Sequence, residues 1–259
     1  MSSVGAVEGS GGVQSVGRAF EILEVIAAQG GELSLSEIAA SVGLPAPSAH
    51  RLLRTLVALG YLRQETSRRY ALAPRLIRLG ESAAKQFGAW GYPVLTELME
   101  AVGESANMAI LDGSNAIYVA QVAGRHSMRM FTEVGRRVPL HATGVGKALL
   151  AQLPDEEIVR ILDLAGMPTV TPHTITDPDV LLQDVRTSRI RGYTIDDGEQ
   201  EVGVSCVSVP VPTAPTPTAI SISAPTPRMT PDVAREAAAA LREAAATMAE
   251  RFDRERATG

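Results

Sequence analysis

Arginines that could contact a polyanion are concentrated in one short segment of this chain. Between Pro47 and Arg78 the sequence holds seven arginines and a single acidic residue, Glu65, although the formal net charge of the whole chain is −5. The arginines are Arg51, Arg54, Arg63, Arg68, Arg69, Arg75 and Arg78. A basic segment in an otherwise acidic chain is typical of a nucleic-acid-binding region joined to a region with another function.

The first part of this segment has the pattern of a DNA-recognition helix. Pro45 and Pro47 open it and Gly60 stops it. Its predicted buried stripe consists of Leu52, Leu53, Leu56 and Leu59. The other face can donate hydrogen bonds to base edges and phosphates, which a helix in the major groove must do. The predicted DNA contacts on this helix are Pro47, Ser48, His50, Arg51, Arg54 and Thr55.

The elements around this helix complete a winged helix-turn-helix. An amphipathic helix is predicted over residues 15–30, capped by Ser15, and a second helix from about residue 34 to residue 42. Ser34 and Glu37 have the spacing of a capping box. Two short strands at 61–64 and 69–72 form the wing, whose Arg63, Arg68 and Arg69 are predicted to contact phosphates or the minor groove.

A second candidate site lies where residues 143–148, Thr-Gly-Val-Gly-Lys-Ala, open a helix. Backbone N–H groups at a helix start favour a carboxylate, and the glycines allow a ligand to approach closely. A nucleotide-binding P-loop is excluded, because its first glycine and its Ser/Thr are replaced by His141 and Ala148. A turn that serves packing alone is the alternative.

Other reactive residues are scattered along the chain. Cys206 could act as a thiol nucleophile with His141 or His173 as its base, but no motif supports that chemistry. The acidic residues Asp196, Asp197 and Glu199 could hold a metal, and we interpret them instead as a solvated turn. The four histidines are too far apart in sequence to predict a zinc site. We therefore expect neither a catalytic site, nor a metal, nor a cofactor.

Composition indicates an ordinary globular protein. The 259 residues are 45% hydrophobic and 20% charged, which fits one or two domains with a proper core. A single cysteine excludes an internal disulfide framework. Residues 1–14 have the composition of a polar, disordered tail and lack the features of a signal peptide. No stretch is apolar enough for a membrane span, so we expect a cytoplasmic protein.

The rest of the chain predicts an α+β architecture. The DNA-binding domain is assigned to residues 15–74, a linker helix to 75–92 and a second domain to 93–254. Helices are predicted at about 93–102, 144–152, 155–164, 178–191 and 230–254. Strands are predicted at 107–111, 116–123, 127–133, 193–196, 204–211 and 218–223, with 210–217 as an exposed hairpin loop. Strands and helices that do not strictly alternate favour a mainly antiparallel sheet.

These segments together resemble the IclR family of bacterial transcriptional regulators. The similarity is carried by SVGRAFEILEVIA at 15–27, LSEIAASVGLPAPSAHRLLRTLVALGYL at 35–62, YALAPRLIRLGESA at 70–83, HATGVGKALLA at 141–151, RGYTIDDGEQEVGVSCVSVPV at 191–211 and AISIS at 219–223. The resemblance implies a winged helix-turn-helix, a linker helix and a GAF/profilin-like effector domain. It implies homodimers, often paired into tetramers, that bind double-stranded operator DNA and respond to a small carboxylate metabolite.

The same resemblance implies which residues hold the effector. They are Met130, Val138, Gly144, Val145, Asp196, Cys206, Ser221 and Ser223. The spacing of Ser221 and Ser223 independently places both on one face of a strand. The segment at 127–151 and the acidic run at 196–201 are most similar to regulators of allantoin and glyoxylate metabolism. A repressor released by allantoate or glyoxylate is the leading hypothesis. An activator, or an enzyme fused to a helix-turn-helix, is the alternative.

Overall fold

The described part of the chain separates into two units. A computed structural model describes residues 13–87, 89–128, 130 and 132–258, so most of the predicted tail lies outside the described residues. The boundary between the units falls between Ala83 and Ala84. Within the described residues no helix is both long and apolar enough to cross a membrane.

Three helices form the first unit's core, close to where the sequence predicts them. They are α1 (Gln14–Ala28), α2 (Leu35–Ser41) and α3 (Ala46–Ala58). The predicted capping box of α2 is present, since Glu37 N–H donates to Ser34 Oγ and Ser34 N–H donates to Glu37 Oε2. The predicted cap of α1 is wrong. Its N-cap is Val13, which offers no side-chain acceptor, and Ser15 already lies inside the helix.

The wing contains one strand more than predicted. Strands β2 (Leu62–Gln64) and β3 (Tyr70–Leu72) pair as expected, and β1 (Glu32–Leu33) adds to the other side of β3. A two-residue strand is too short to produce an alternating pattern, so the sequence could not reveal it. The predicted stripe of α3 also needs a correction, because Leu59 is 50% exposed. It lies at the C-cap, one position beyond the last residue of α3.

The predicted linker helix is interrupted. α4 (Arg75–Phe87) is followed by a short 3-10 helix, Ala89–Gly91, and then by α5 (Tyr92–Val102). Pro93 lies in the first turn of α5, where its missing N–H costs no helical hydrogen bond. Gly103 ends α5 in the left-handed conformation, at φ 83°.

A six-stranded antiparallel sheet organises the second unit. Its strand order is β6-β5-β4-β9-β8-β7. The strands are β4 (Ser105–Asp112), β5 (Asn115–Val122), β6 (Arg137–Pro139), β7 (Thr194–Asp197), β8 (Val204–Val211) and β9 (Thr218–Pro225). The predicted hairpin connects β8 and β9 in the middle of the sheet.

One predicted strand is wrong. The described residues of segment 127–133 are not in a strand, and Arg129 and Phe131 lie outside the described residues. The strand that pairs with β5 is β6, further along the chain. The apolar pattern of this segment was not enough to predict a strand, because pattern alone does not supply a partner strand.

Helices cover the two faces of the sheet unequally. α5 and α9 (Pro231–Thr258) pack on one face and enclose an apolar core that includes Leu95, Val207 and Ile222. The other face packs against a group of three helices, which are α6 (Gly144–Leu150), α7 (Asp155–Ala165) and α8 (Pro178–Arg191). The predicted α+β class with an antiparallel sheet is confirmed. The face beneath α6 carries the candidate site in this unit.

Candidate functional site

The first candidate surface is the outer face of α3. Ala49, Leu53 and Leu56 are buried beneath it. The helix therefore turns its remaining side chains outward, with Ser48 half-buried and Pro47, His50, Arg51, Arg54 and Thr55 exposed. In the part of the chain that the structure describes, Arg51 and Arg54 form no ion pair. Two uncompensated guanidinium groups on one exposed helix face can bind phosphates and guanine edges.

The three predicted wing arginines have different environments. Arg63 Nε lies 2.5 Å from Glu65 Oε1 within the wing. Arg69 joins the wing to the helix-turn-helix, since its Nη2 lies 2.9 Å from a Glu37 carboxylate oxygen and donates to the Glu32 carbonyl at 3.0 Å. Arg68 is exposed at the tip, with its backbone at φ 63°. Arg68 is thus the wing arginine whose charge faces solvent without an acidic partner among the described residues.

The second candidate site consists of two parallel rows of polar residues across the sheet, which we call the polar rows. Cross-strand register defines them. The first row contains Asp196, Cys206, Ser223 and Ser105, and the second contains Thr194, Ser208, Ser221, Asn107 and Gln121. Neighbouring strands in register bring such residues side by side although the chain separates them widely.

Hydrogen bonds connect the polar rows. Asn107 Nδ2 donates to Ser221 Oγ at 3.2 Å and to Ser223 Oγ at 3.0 Å. Cys206 Sγ donates to Ser223 Oγ at 3.2 Å. Ser105 Oγ donates to the Met130 carbonyl at 2.7 Å, which places the loop carrying Met130 at the end of the first row. The structure thus brings together Met130, Cys206, Ser221 and Ser223 of the predicted effector residues.

Several polar atoms in the second row have no hydrogen-bond partner among the described residues. They are Asn107 Oδ1, Ser208 Oγ and Gln121 Nε2. Asn107 and Ser208 are both fully buried. A buried polar group without a partner costs about 1–3 kcal/mol. Three such atoms in one row of a sheet indicate a place that a polar ligand can complete.

Helix α6 packs directly on the polar rows. A Cβ at position 144 would stand 2.6 Å from Ser208 Oγ and 3.3 Å from Cys206 Cβ, so only glycine permits this approach. Thr194 Oγ1 donates to the Gly144 carbonyl at 2.8 Å. Fewer free backbone N–H groups are available to a ligand at the start of α6 than its sequence suggests, because Gly146 N–H donates to Thr143 Oγ1.

Two predicted effector residues lie deeper than the rest. The side chains of Val138 and Val145 are buried in the apolar cluster below α6. Both side chains therefore stabilise the packing of α6 rather than line a ligand site. Any contact from Val145 to a ligand would come through its backbone.

Asp196 is a buried carboxylate at the edge of the first row. It is 2% exposed, and its Oδ1 accepts from the Glu199 N–H at 2.8 Å and the Gln200 N–H at 3.4 Å. Burial, partly offset by these N–H groups, raises the pKa of Asp196 to about 7. Burial also raises the pKa values of the Cys206 thiol and the Tyr118 phenol, which lie in the same environment. The interpretation of the acidic run as a solvated turn is wrong for Asp196 and Glu199, both of which are buried.

The geometry does not assemble a thiol–histidine pair. Cys206 donates to Ser223, and His141 Nε2 is hydrogen-bonded to the Pro168 carbonyl at 3.0 Å. Burial lowers the pKa of His141, which favours the neutral ring. Among the described residues, no three His, Cys, Asp or Glu side chains are placed to hold a metal ion.

Sequence reasoning missed several residues of this site. Ser105 and Asn107 alternate with apolar residues on β4, as Ser221 and Ser223 do on β9, so the same signal would have found them. Lys147 is 1% exposed in an otherwise apolar helix, and that lone charge in GVGKALL was a second usable signal. Ser208 on β8 packs against Gly144 on α6, and the spacing of these residues in the sequence does not indicate that contact.

Two family descriptions match the chain. The IclR helix-turn-helix domain matches residues 15–66, and the "Bacterial transcriptional regulator IclR C-terminal" domain matches residues 89–250. The match to the C-terminal domain alone covers more than half of the chain and includes all of the polar rows.

Individual relatives agree with these matches. The chain is 37% identical to the "Transcriptional repressor IclR" of Escherichia coli (strain K12) over 250 residues, which is 94% of this chain and 91% of that protein. It is 33% identical to the "HTH-type transcriptional repressor AllR" of Salmonella typhimurium over 226 residues, covering 85% and 83%. An IclR transcriptional regulator from Alicyclobacillus acidocaldarius has the same fold, with a TM-score of 0.81, 27% identity and coverage of 93% and 99%.

Proposed function

The chain belongs to the IclR family of bacterial transcriptional regulators, and from this premise we propose that it is a repressor that a small carboxylate metabolite releases from operator DNA. Two matched relatives carry the name of repressor. The observation on which the effector half depends is the set of unpartnered polar atoms in the polar rows. Allantoate and glyoxylate are the first effectors to test.

The DNA half of the proposal rests on α3. We assign direct base contacts to Ser48, His50, Arg51, Arg54 and Thr55. Pro47, at the start of the helix, is assigned a contact with the DNA backbone. Thr55 Oγ1 donates to the Arg51 carbonyl, so its oxygen presents an acceptor rather than a donor to DNA. On the wing we assign the leading phosphate contact to Arg68, whereas Arg63 and Arg69 must exchange internal partners to reach DNA.

In the effector half of the proposal, the ligand lies over the polar rows beside the start of α6, because Gly144 itself packs directly against Ser208 and Cys206. We assign hydrogen bonds to Asp196, Ser221 and Ser223, with the Gly144–Val145 backbone on one side and Met130 on the other. Cys206 contributes a polarisable wall, and Val138 belongs to the apolar cluster that also holds Val145 of α6. None of the residues that form the polar rows is a lysine or an arginine. A carboxylate bound there therefore depends on N–H and O–H donors and on a protonated Asp196.

Apolar side chains exposed on the first unit support self-association. Val16 and Phe20 on α1 are 54% and 61% exposed, and Ile77 and Leu79 on α4 are 62% and 54% exposed. Large exposed apolar side chains favour an interface when they lie together. We propose a homodimer built on these helices, with a dimer of dimers as the larger assembly to test by analytical ultracentrifugation.

Electrophoretic mobility shift on the DNA upstream of the protein's own gene tests the whole proposal. The protein is titrated alone and with glyoxylate, allantoate, pyruvate or benzoate. Release by one of these compounds supports both the repressor mechanism and the effector class. Binding that none of them disturbs keeps the DNA-binding function and overturns the effector assignment. A compound that strengthens binding instead would indicate an activator or a co-repressor.

A further inference from the structure

A buried ion cluster lies behind the effector site, and no step of the proposed function uses it. Lys147 in α6 is 1% exposed. Its Nζ lies 2.6 Å from Glu199 Oε1 and 3.0 Å from Asp184 Oδ2 in α8. A buried ammonium needs close partners because burial removes it from water. One lysine thereby joins α6, α8 and the turn after β7.

The two carboxylates that contact Lys147 differ in what they connect to. Glu199 belongs to the turn whose Glu199 and Gln200 N–H groups hold Asp196 Oδ1. Its carbonyl also accepts from Thr174 Oγ1 at 2.7 Å. Asp184 lies in α8 and, among the described residues, has no such hydrogen-bond connection to the polar rows. Lys147 therefore reaches Asp196 through Glu199 and not through Asp184.

We propose that Lys147 is a positioning residue of the effector site, acting through Glu199 to fix the turn that orients Asp196 beside Cys206. The assignment of effector binding to Asp196 rests on the proposed function. The positioning role of Lys147 rests on its contact with Glu199 and on the hydrogen bonds that hold Asp196. The same helix carries Gly144 one turn earlier, packed against Cys206 and Ser208. Lys147 thus sets the distance between the two sides of the site, α6 and the Asp196 turn.

Two matched variants separate this role from a general need for charge balance. Glu199→Gln and Asp184→Asn each remove one carboxylate charge and leave Lys147 with one acidic partner. Cys206 is the only cysteine of the chain, so its alkylation by N-ethylmaleimide reports on the packing next to Asp196 without any effector. Folding of each variant is checked by circular dichroism.

We expect the alkylation rate to rise about tenfold in Glu199→Gln, the factor that corresponds to about 1.4 kcal/mol, and less than about twofold in Asp184→Asn. Glu199→Asp, which keeps the charge but shortens the reach, should give an intermediate rate. It also keeps the test available if Glu199→Gln does not fold. Equal rates in the Glu199 and Asp184 variants would overturn the positioning role.

Calorimetric titration with glyoxylate and allantoate adds the functional readout. If wild type binds one of them, Glu199→Gln should bind it about tenfold more weakly while Asp184→Asn binds it within about twofold of wild type. If wild type binds neither, the proposed effectors are wrong, and the alkylation rates still decide the positioning role. Equal losses of affinity in both variants would contradict it.

Discussion

The outer face of α3 and the polar rows, which we propose as the DNA-binding and effector-binding surfaces, are built in opposite ways. On α3 the charged groups are exposed, contributed by consecutive turns of one helix, and have no acidic partner among the described residues. In the polar rows the groups are buried, contributed by separate strands, and mostly uncharged. A polyanion in water is bound by charge, whereas a small ligand out of water is bound by matching its hydrogen bonds.

This difference predicts how each region tolerates change. An exposed arginine pays no burial cost, so its loss should affect binding and leave folding intact. A buried charge is balanced by specific partners, so its loss should affect folding first. The two regions can therefore be distinguished by measuring stability and binding in the same variants.

The largest effect is expected for Lys147, and the other lysine of the chain, Lys85, serves as its control. Lys147→Met leaves Glu199 and Asp184 close together without their ammonium, and we expect the free energy of unfolding to fall by about 3–5 kcal/mol. Lys85 is exposed in the last turn of α4, so Lys85→Met should change it by less than about 0.5 kcal/mol. Urea unfolding measures both. Similar losses in the two variants would show that buried Lys147 contributes no more to stability than an exposed lysine.

Asp196 gives the next largest effect and a defined pH dependence. Because burial raises its pKa to about 7, the folded protein binds a proton that the unfolded chain releases above about pH 4. Stability should therefore decline as pH rises from about 4 to about 7, where the folded carboxyl ionises. Asp196→Asn removes this dependence, and at pH 8 the variant should be more stable by on the order of 3 kcal/mol.

Thermal unfolding from pH 5 to pH 8 checks this prediction. The difference in stability between Asp196→Asn and wild type should shrink as the pH falls. Asp155→Asn is the control, because Arg186 and Arg189 lower the pKa of this carboxyl and pair with it at the surface. A variant at position 196 that follows the wild-type pH profile would show that Asp196 is ionised in the folded protein.

The same contrast explains what the sequence predicted. Elements of the first unit were predicted within a few residues, because capping at Ser34, the prolines before α3 and glycines at helix ends are local signals. The strand at 127–133 was wrong because pairing depends on a partner elsewhere in the chain. The polar rows depend on that same pairing. Alternation marked Ser221 and Ser223 and could have marked Ser105 and Asn107, but it does not say which strands lie side by side.

The ion cluster could not be predicted from the sequence for a related reason. Lys147, Asp184 and Glu199 come from two helices and a turn that approach one another only in the folded unit. Composition shows an acidic run at 196–201, and an acidic run is ordinarily solvated. Burial of Asp196 and Glu199 follows from the cover provided by α6 and residues 171–174, which no local pattern encodes.

Arg51→Ala tests the exposed side of the comparison. If Arg51 contacts a guanine, operator affinity should fall by about 1–3 kcal/mol with no change in thermal stability or effector binding. Arg160→Ala, an exposed arginine on α7 in the second unit, should leave operator affinity unchanged. Fluorescence anisotropy at fixed salt measures both. Operator affinity that survives Arg51→Ala would remove this residue from the recognition surface.

Ser221→Ala combined with Ser223→Ala tests the buried side with the smallest expected change in fold. Each hydroxyl lost from a ligand should cost about 0.5–1.5 kcal/mol, so the effector concentration for half-release should rise about tenfold. The variant also frees Asn107 Nδ2, which a bound water can satisfy in a polar site. Operator affinity without effector should stay at the wild-type value, because α3 is unchanged.

A double variant that is released at the wild-type effector concentration would place the ligand away from the polar rows. Loss of operator binding would instead mean that these serines maintain the fold on which both regions depend.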